Sequence, residues 1–211
     1  MTLKEPSERV ERGGRRNLYT CLVLVAVAVI MRIWGIDWGL PQVYEEAVPL
    51  KKAWAMWGWD RPSGTDLNPH FFNYPSLTFY VHFIGLGLHY VVASASGVIE
   101  SASDYVVLYI TDKTSFYMVG RLLSTMFGVG TVWLTYLLAR AVSGRIAATF
   151  AMALMAINTF HITRSQMIEV DVPLTFFVVL TMWLLLRPGR RDYIWRTFVR
   201  SLSIKILSFL R

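Results

Sequence analysis

Four stretches of this 211-residue chain, 17–36, 116–139, 146–163 and 172–187, hold at most one charged residue each. Crossing a hydrocarbon core of about 30 Å takes about 20 helical residues. Inside that core every backbone polar group must be satisfied within the protein, which favours helices. The four stretches therefore predict transmembrane helices. The last is short, uncharged only from Val172 to Leu186, and borrows flanking residues. Pro173 suits its first turn, where no intrahelical bond is lost. Composition agrees: 55% of residues are hydrophobic and 17% charged, against about a quarter charged in a soluble domain.

The net charge of +7 does not point to nucleic acid. The basic residues gather at the ends of apolar stretches, the pattern of positive-inside anchoring. Cys21, the single cysteine, lies in an apolar run, so neither an intrachain disulfide nor a thiolate metal site follows. Arg9, Arg12, Arg15 and Arg16 before an apolar run imitate a signal peptide. No small-x-small cleavage site follows, so an uncleaved first span is expected. Trp34 and Trp38 suit the membrane interface, and Arg32 is expected to snorkel to the outer face.

Residues 71–99 contain no Asp, Glu, Lys or Arg, yet they carry Asn73, Pro75, His82 and His89. Such a segment either spans or lies along the surface. Charge bias arbitrates. If it is peripheral, the basic leader, Arg140, Arg145 and the basic residues from Arg187 to Arg211 share one side. If it spans, the basic tail moves to the other side and the bias reverses. The positive-inside rule favours the peripheral placement. The expected fold is thus an all-α integral membrane protein. It has four transmembrane helices and an outer-face subdomain of surface helices between spans one and two. A basic cytoplasmic leader, 1–16, precedes a transmembrane domain, 17–187, whose outer loop is 37–115; a basic amphipathic cytoplasmic tail, 188–211, follows. Both termini are cytoplasmic in this reading. Within the outer loop, 48–59 reads as an amphipathic helix rich in tryptophan, broken by Pro62-Ser63-Gly64. Small residues such as Gly128, Gly130, Ala148 and Ala151 permit close packing of the second and third spans.

In that topology Glu45, Glu46, Glu169 and Asp171 share the outer side. Glu45 and Glu46 follow the first span closely. Beside a low-dielectric boundary, one of two adjacent carboxylates should hold its proton more tightly. It could then accept a proton from a hydroxyl or hold a cation; two solvated loop glutamates are the alternative. Asp171 opens the fourth span, where a helix-dipole role competes with a chemical one. His161, with Arg164, Ser165 and Gln166, ends the third span as a polar cluster. The string Asn68-Pro69-His70-Phe71-Phe72-Asn73-Tyr74-Pro75 is rigid and aromatic, suited to a membrane surface. His70 there either binds phosphate or metal or simply stacks in the loop. No charged residue sits mid-span, which argues against a transporter fragment.

Four of these strings, in this order, resemble the GT-C membrane glycosyltransferases, and within them the protein mannosyltransferase and aminoarabinose transferase-like group. Val43-Tyr44-Glu45-Glu46-Ala47 is similar to the acidic motif of the family's first outer loop. Asp66 to Phe72 with Tyr74-Pro75-Ser76-Leu77 resembles the segment before its surface helix. Gly120-Arg121-Leu122-Leu123-Ser124 resembles the start of its second span. Asn158 to His161 and Asp171 to Phe177 resemble the end of its third span and the start of its fourth. The resemblance implies a sugar on a polyprenyl phosphate, transferred with inversion at the outer face of the membrane to a hydroxyl acceptor. By it, Glu45 is the base, Glu46 orients it, and Asp171 binds the acceptor or assists. His70, Asn73, Tyr74, Arg121, His161 and Arg164 are the substrate-binding candidates. Glu45 stands where the motif has Asp, so its carboxylate reaches one methylene further. Family members differ in whether a divalent metal sits beside these acids, and the sequence does not choose. Members also carry many more spans, so a partial enzyme is expected, completed by a missing C-terminal half or a partner subunit. The expected partners are the lipid-linked donor and membrane lipid, with no nucleic acid. The competing reading is a non-catalytic four-span protein that binds lipid or a partner protein.

Overall fold

The computed structural model describes residues 6–40, 47–59, 61–62 and 64–186. Among them all regular structure is α-helix: α1 (Pro6–Ile33), α2 (Ala47–Trp57), α3 (Leu77–Ala95), α4 (Ala102–Thr111), α5 (Thr114–Ile157), α6 (Thr159–Ser165) and α7 (Asp171–Leu186). Glu45, Glu46 and the expected tail, 188–211, lie outside the described residues.

α1 continues without a break from the expected leader into the apolar run and stops at Ile33, where turns occupy 34–40. The second and third apolar stretches form one 44-residue element, α5, interrupted at Gly144. Gly144 has φ +84° and ψ −173°, a backbone conformation that L side chains rarely adopt. The break separates a first arm, 114–143, from a second, 145–157. Val132 and Tyr136 of the first arm and Ala148, Met152 and Ala156 of the second share one buried cluster with Cys21 and Ala28 of α1. Ala148 thus packs the two arms together as foreseen, whereas Gly128 faces Ser165 of α6 and Gly130 faces Phe176 of α7. At Gly128, an added Cβ would collide with the Ser165 hydroxyl and crowd Arg32.

The third stretch was expected to run to residue 163, but α5 ends at Ile157. Asn158 takes φ −64° and ψ 110°, and its side chain accepts from the His161 N–H at 2.9 Å. This N-cap starts a separate helix, α6, at the point where an uninterrupted apolar run had been expected. Among the described residues, two helices can cross a bilayer by length and composition, α3 and α5. The apolar part of α1, Asn17–Ile33, and α7 are shorter. The segment expected at the surface thus contains a helix of spanning length.

A second core joins α2, α3, α4 and the start of α5 around Trp54, Leu86, Tyr105 and Phe116. Trp54 stacks on Tyr109 at 3.8 Å, and Trp57 stacks on Phe83 at 4.2 Å. Buried aromatics of this kind need their polar tips satisfied. Trp57 Nε1 donates to the Phe83 carbonyl at 2.7 Å, and the Tyr105 hydroxyl donates to the Leu86 carbonyl at 3.0 Å. Because that hydroxyl spends its proton on Leu86, His89 Nδ1 must be the donor in its 2.9 Å contact with Tyr105. α4 is started by a reciprocal capping box between Ser101 and Asp104.

Candidate functional site

The turn after α6 and the first turn of α7 meet the first turn of α2 at a cleft of about 390 Å³. Val48 and Pro49 form one wall; Arg164, Glu169 and Asp171 bring charge; Tyr74 comes from the loop before α3. Arg164 and Glu169 are ion-paired through Nη1 and Oε1. The Glu169 side chain is mostly covered, at 13% exposure, while Arg164 is 41% exposed. The guanidinium is thus paired with a carboxylate of the following turn and lines the cleft. Asp171 is exposed in the first turn of α7. Its carboxylate has no hydrogen bond or ion pair among the described residues, whereas its carbonyl accepts from Thr175 Oγ1 at 2.8 Å.

The turn that carries Arg164 and Glu169 is held from behind. Thr125 Oγ1 on α5 donates to the Ser165 carbonyl at 3.0 Å. Gln166 Nε2 donates to the Trp34 carbonyl at 2.8 Å, which ties the turn to the end of α1. Arg32, expected to snorkel outward, turns inward and is fully buried. Its Nη1 donates to the carbonyls of Ala28 at 3.1 Å and Ala156 at 3.2 Å. Its Nη2 donates to the Met155 carbonyl at 3.3 Å and contacts His161 Nδ1 at 2.8 Å. The physical reason is local. Met155 and Ala156 belong to the last turn of α5, whose carbonyls have no intrahelical donor. A cation there also complements the helix dipole.

Arg121 plays a similar part on the other side. It is fully buried, and its Nη1 donates to the Ile36 and Trp38 carbonyls at 2.6 and 2.7 Å, with the guanidinium 5.3 Å from the Trp38 ring. It thereby fixes the turns that lead toward residues 41–46.

Of the residues expected from sequence, Asp171, Arg164 and Tyr74 come together in the cleft. Glu169, foreseen as an acidic neighbour, joins them as the partner of Arg164. His161 is buried against Arg32, and Arg121 is buried against backbone, so neither is among the cleft-lining residues. His70 and Asn73 lie exposed in the loop that also carries Tyr74. His70 has φ +48° and places Nε2 2.8 Å from Asp66 Oδ2. Glu45 and Glu46 are outside the described residues but precede α2 directly in sequence. Arg32 and Gln166 were not read as site-supporting residues. The usable signal for Arg32 was its place in the last turn of an apolar helix, which fits snorkelling equally well. Among the described residues no three His, Cys, Asp or Glu side chains are grouped to hold a metal ion.

The family model for dolichyl-phosphate-mannose-protein mannosyltransferases matches residues 71–204, well over half of the chain. The match takes in Asn73, Tyr74, Arg121, His161, Arg164 and Asp171, and begins after Glu45, Glu46 and His70. No curated protein and no solved structure matches the chain. With its apolar helices and a family match that runs through the cleft, the chain is a membrane protein that belongs to the dolichyl-phosphate-mannose-protein mannosyltransferase family.

Proposed function

We propose that the cleft beside Asp171 is where a sugar carried on a polyprenyl phosphate meets a hydroxyl acceptor, on the outer side of the membrane. The supporting observation is the convergence of Asp171, Glu169 and Arg164 on the first turn of α2, directly after the Glu45-Glu46 pair in sequence. In this reading Glu45 takes the proton from the acceptor hydroxyl, with Glu46 orienting it. The acceptor oxygen forms a bond to the anomeric carbon as the bond from that carbon to the phosphate oxygen breaks. Polyprenyl phosphate leaves with the bonding electrons, and the configuration inverts. Negative charge grows on the departing phosphate, and the Arg164 guanidinium is the cleft-lining cation suited to meet it. Glu169 keeps that guanidinium in place without covering it. Asp171 accepts a hydrogen bond from the acceptor or supports the base. Tyr74, with Asn73 and His70 from the same loop, offers hydroxyl, amide and imidazole groups to the sugar. Arg121 and His161 contribute by fixing the backbone behind the cleft, since geometry errors of about 1 Å cost large factors in rate. A divalent metal, where one is used, would sit among the same acids. A missing C-terminal half or a partner subunit would complete the lipid pocket.

The test is transfer of labelled mannose from a polyprenyl-phosphate donor to a hydroxyl acceptor in proteoliposomes, with the chain alone and with any co-purifying membrane partner. Transfer should fall by at least about a hundredfold in Glu45→Gln and in Asp171→Asn. Wild-type transfer in the double variant would refute the assignment. Donor binding without transfer, unchanged by either substitution, would favour the non-catalytic lipid-binding reading.

A further inference from the structure

A second groove lies near the far end of α1, some 22 Å from Arg32 at 1.5 Å per helical residue. It has a volume of about 380 Å³ and runs between α1 and the second arm of α5. Its mouth is polar: Asn17 and Thr20 line it from α1, Arg145 and Thr149 from α5. Its wall is apolar and open, with Ile146 and Phe150 exposed by 78% and 68%. Leu154 and Ile157 continue the exposed stripe at spacings that keep one helical face. From Ile146 to Ile157 the stripe is about 16 Å long, close to half the hydrocarbon thickness of a bilayer.

Among the residues that line the groove, the charge is positive. Neither α5 nor α1 from Asn17 onward contains a single Asp or Glu. Arg145 makes no ion pair among the described residues. Arg140 donates to the Tyr136 hydroxyl at 3.2 Å, and Asn17 donates to the same oxygen at 2.7 Å. That network holds in place an amide that lines the groove with Arg145, together with a second cation on the first arm just before the break. The break at Gly144 adds to the effect, because the second arm starts there and presents its positive dipole end at the same mouth.

We propose that this groove holds one anionic phospholipid of the bilayer, its phosphate on Arg145 and one acyl chain along Ile146, Phe150 and Leu154. The charge complementarity selects the head group, and the length and exposure of the stripe select the chain. The site is separate from the sugar-transfer cleft and does not depend on what that cleft does.

Native mass spectrometry of the full chain released from mixed micelles tests this with phosphatidylglycerol and phosphatidylcholine of identical chains. Preferential retention of one phosphatidylglycerol is expected. Arg145→Gln should weaken that retention about tenfold, the effect of losing one charge-assisted bond, while Arg145→Lys keeps most of it. Arg145 is exposed, so an unchanged helical circular dichroism signal is expected in both variants. Equal retention of phosphatidylcholine, or no loss in Arg145→Gln, would overturn the proposal. So would competition by inorganic phosphate alone, which marks a small-anion site. A photo-crosslinker at position 146 should capture lipid; capture of another polypeptide segment instead would also overturn it.

Discussion

Arg32 Nη2 and His161 Nδ1 meet at 2.8 Å beneath the cleft. A guanidinium can only donate, so this imidazole nitrogen is the acceptor and the ring proton sits on Nε2. The pair joins the end of α1 to α6, and the same guanidinium closes off the last carbonyls of α5. Arg32→Met removes all of these bonds and leaves buried acceptors bare. A loss of about 3 kcal/mol is expected, measured as a fall in denaturation midpoint in detergent. Arg32→Lys should recover only part, because an ammonium cannot span the same fork of acceptors.

Two glycines should respond differently to alanine. At Gly144 an added Cβ touches nothing, so Gly144→Ala costs only its backbone conformation, φ +84° with ψ −173°, a region nearly confined to glycine, about 1–3 kcal/mol. At Gly128 the same atom strikes the Ser165 side chain and crowds Arg32, which forces the α5–α6 contact apart. Gly128→Ala should therefore cost about 2–3 kcal/mol through overpacking rather than backbone strain. It should also lower transfer activity, whereas Gly144→Ala leaves the cleft unchanged. Parallel unfolding curves and transfer assays separate the two.

The loop before α3 should be sensitive to acid. The Asn68 N–H donates to Asp66 Oδ1 at 2.9 Å, and together with His70 it holds the Asp66 carboxyl below its usual range. A carboxylate whose folded pKa is depressed stabilises the fold above its unfolded pKa. That contribution disappears as pH falls through the folded value. Exchange protection of the Asn68 amide should hold from neutral pH down to about 4, the ordinary aspartate range, and be lost below it. In Asp66→Asn the pH dependence should vanish.

Arg164 and Glu169 can be separated by kinetics. If Arg164 meets the leaving phosphate, Arg164→Gln should lower kcat about a hundredfold, with Arg164→Lys retaining more. Glu169→Gln keeps the cation but loosens it, so a smaller loss of about tenfold is expected. Equal effects of the two substitutions would indicate a purely structural pair. Arg121→Met should also reduce kcat, by releasing the turns at 36 and 38, with little change in donor affinity.

The helical class and the apolar stretches of α1, α5 and α7 were legible because long runs with almost no charge have few other solutions. The loop-and-helix character of 48–76 was legible from its prolines and tryptophans. The split between α5 and α6 was not: Asn158 sits inside an apolar run, and only its cap bond to His161 marks the boundary. The inward turn of Arg32 was hidden for a related reason. Apart from the Ala28 carbonyl, its partners lie more than a hundred residues away in sequence, and nothing local distinguishes an arginine that caps a distant helix from one that reaches for water. In the cleft, Asp171 and Arg164 carried readable chemistry. Val48, Pro49 and Ile168, which give the cleft its walls, look like any other apolar residues until the chain is folded.

The bonds that Arg32, Arg121 and Gln166 make connect residues 28–38 with 121–166 and bypass α2, α3 and α4. These ties run beside the aromatic core through which α2, α3 and α4 pack on Phe116, Tyr117 and Ile168. Ile168 belongs both to that core and to the cleft wall, so a packing change made as far off as α4 has a direct mechanical route to the residues around Asp171.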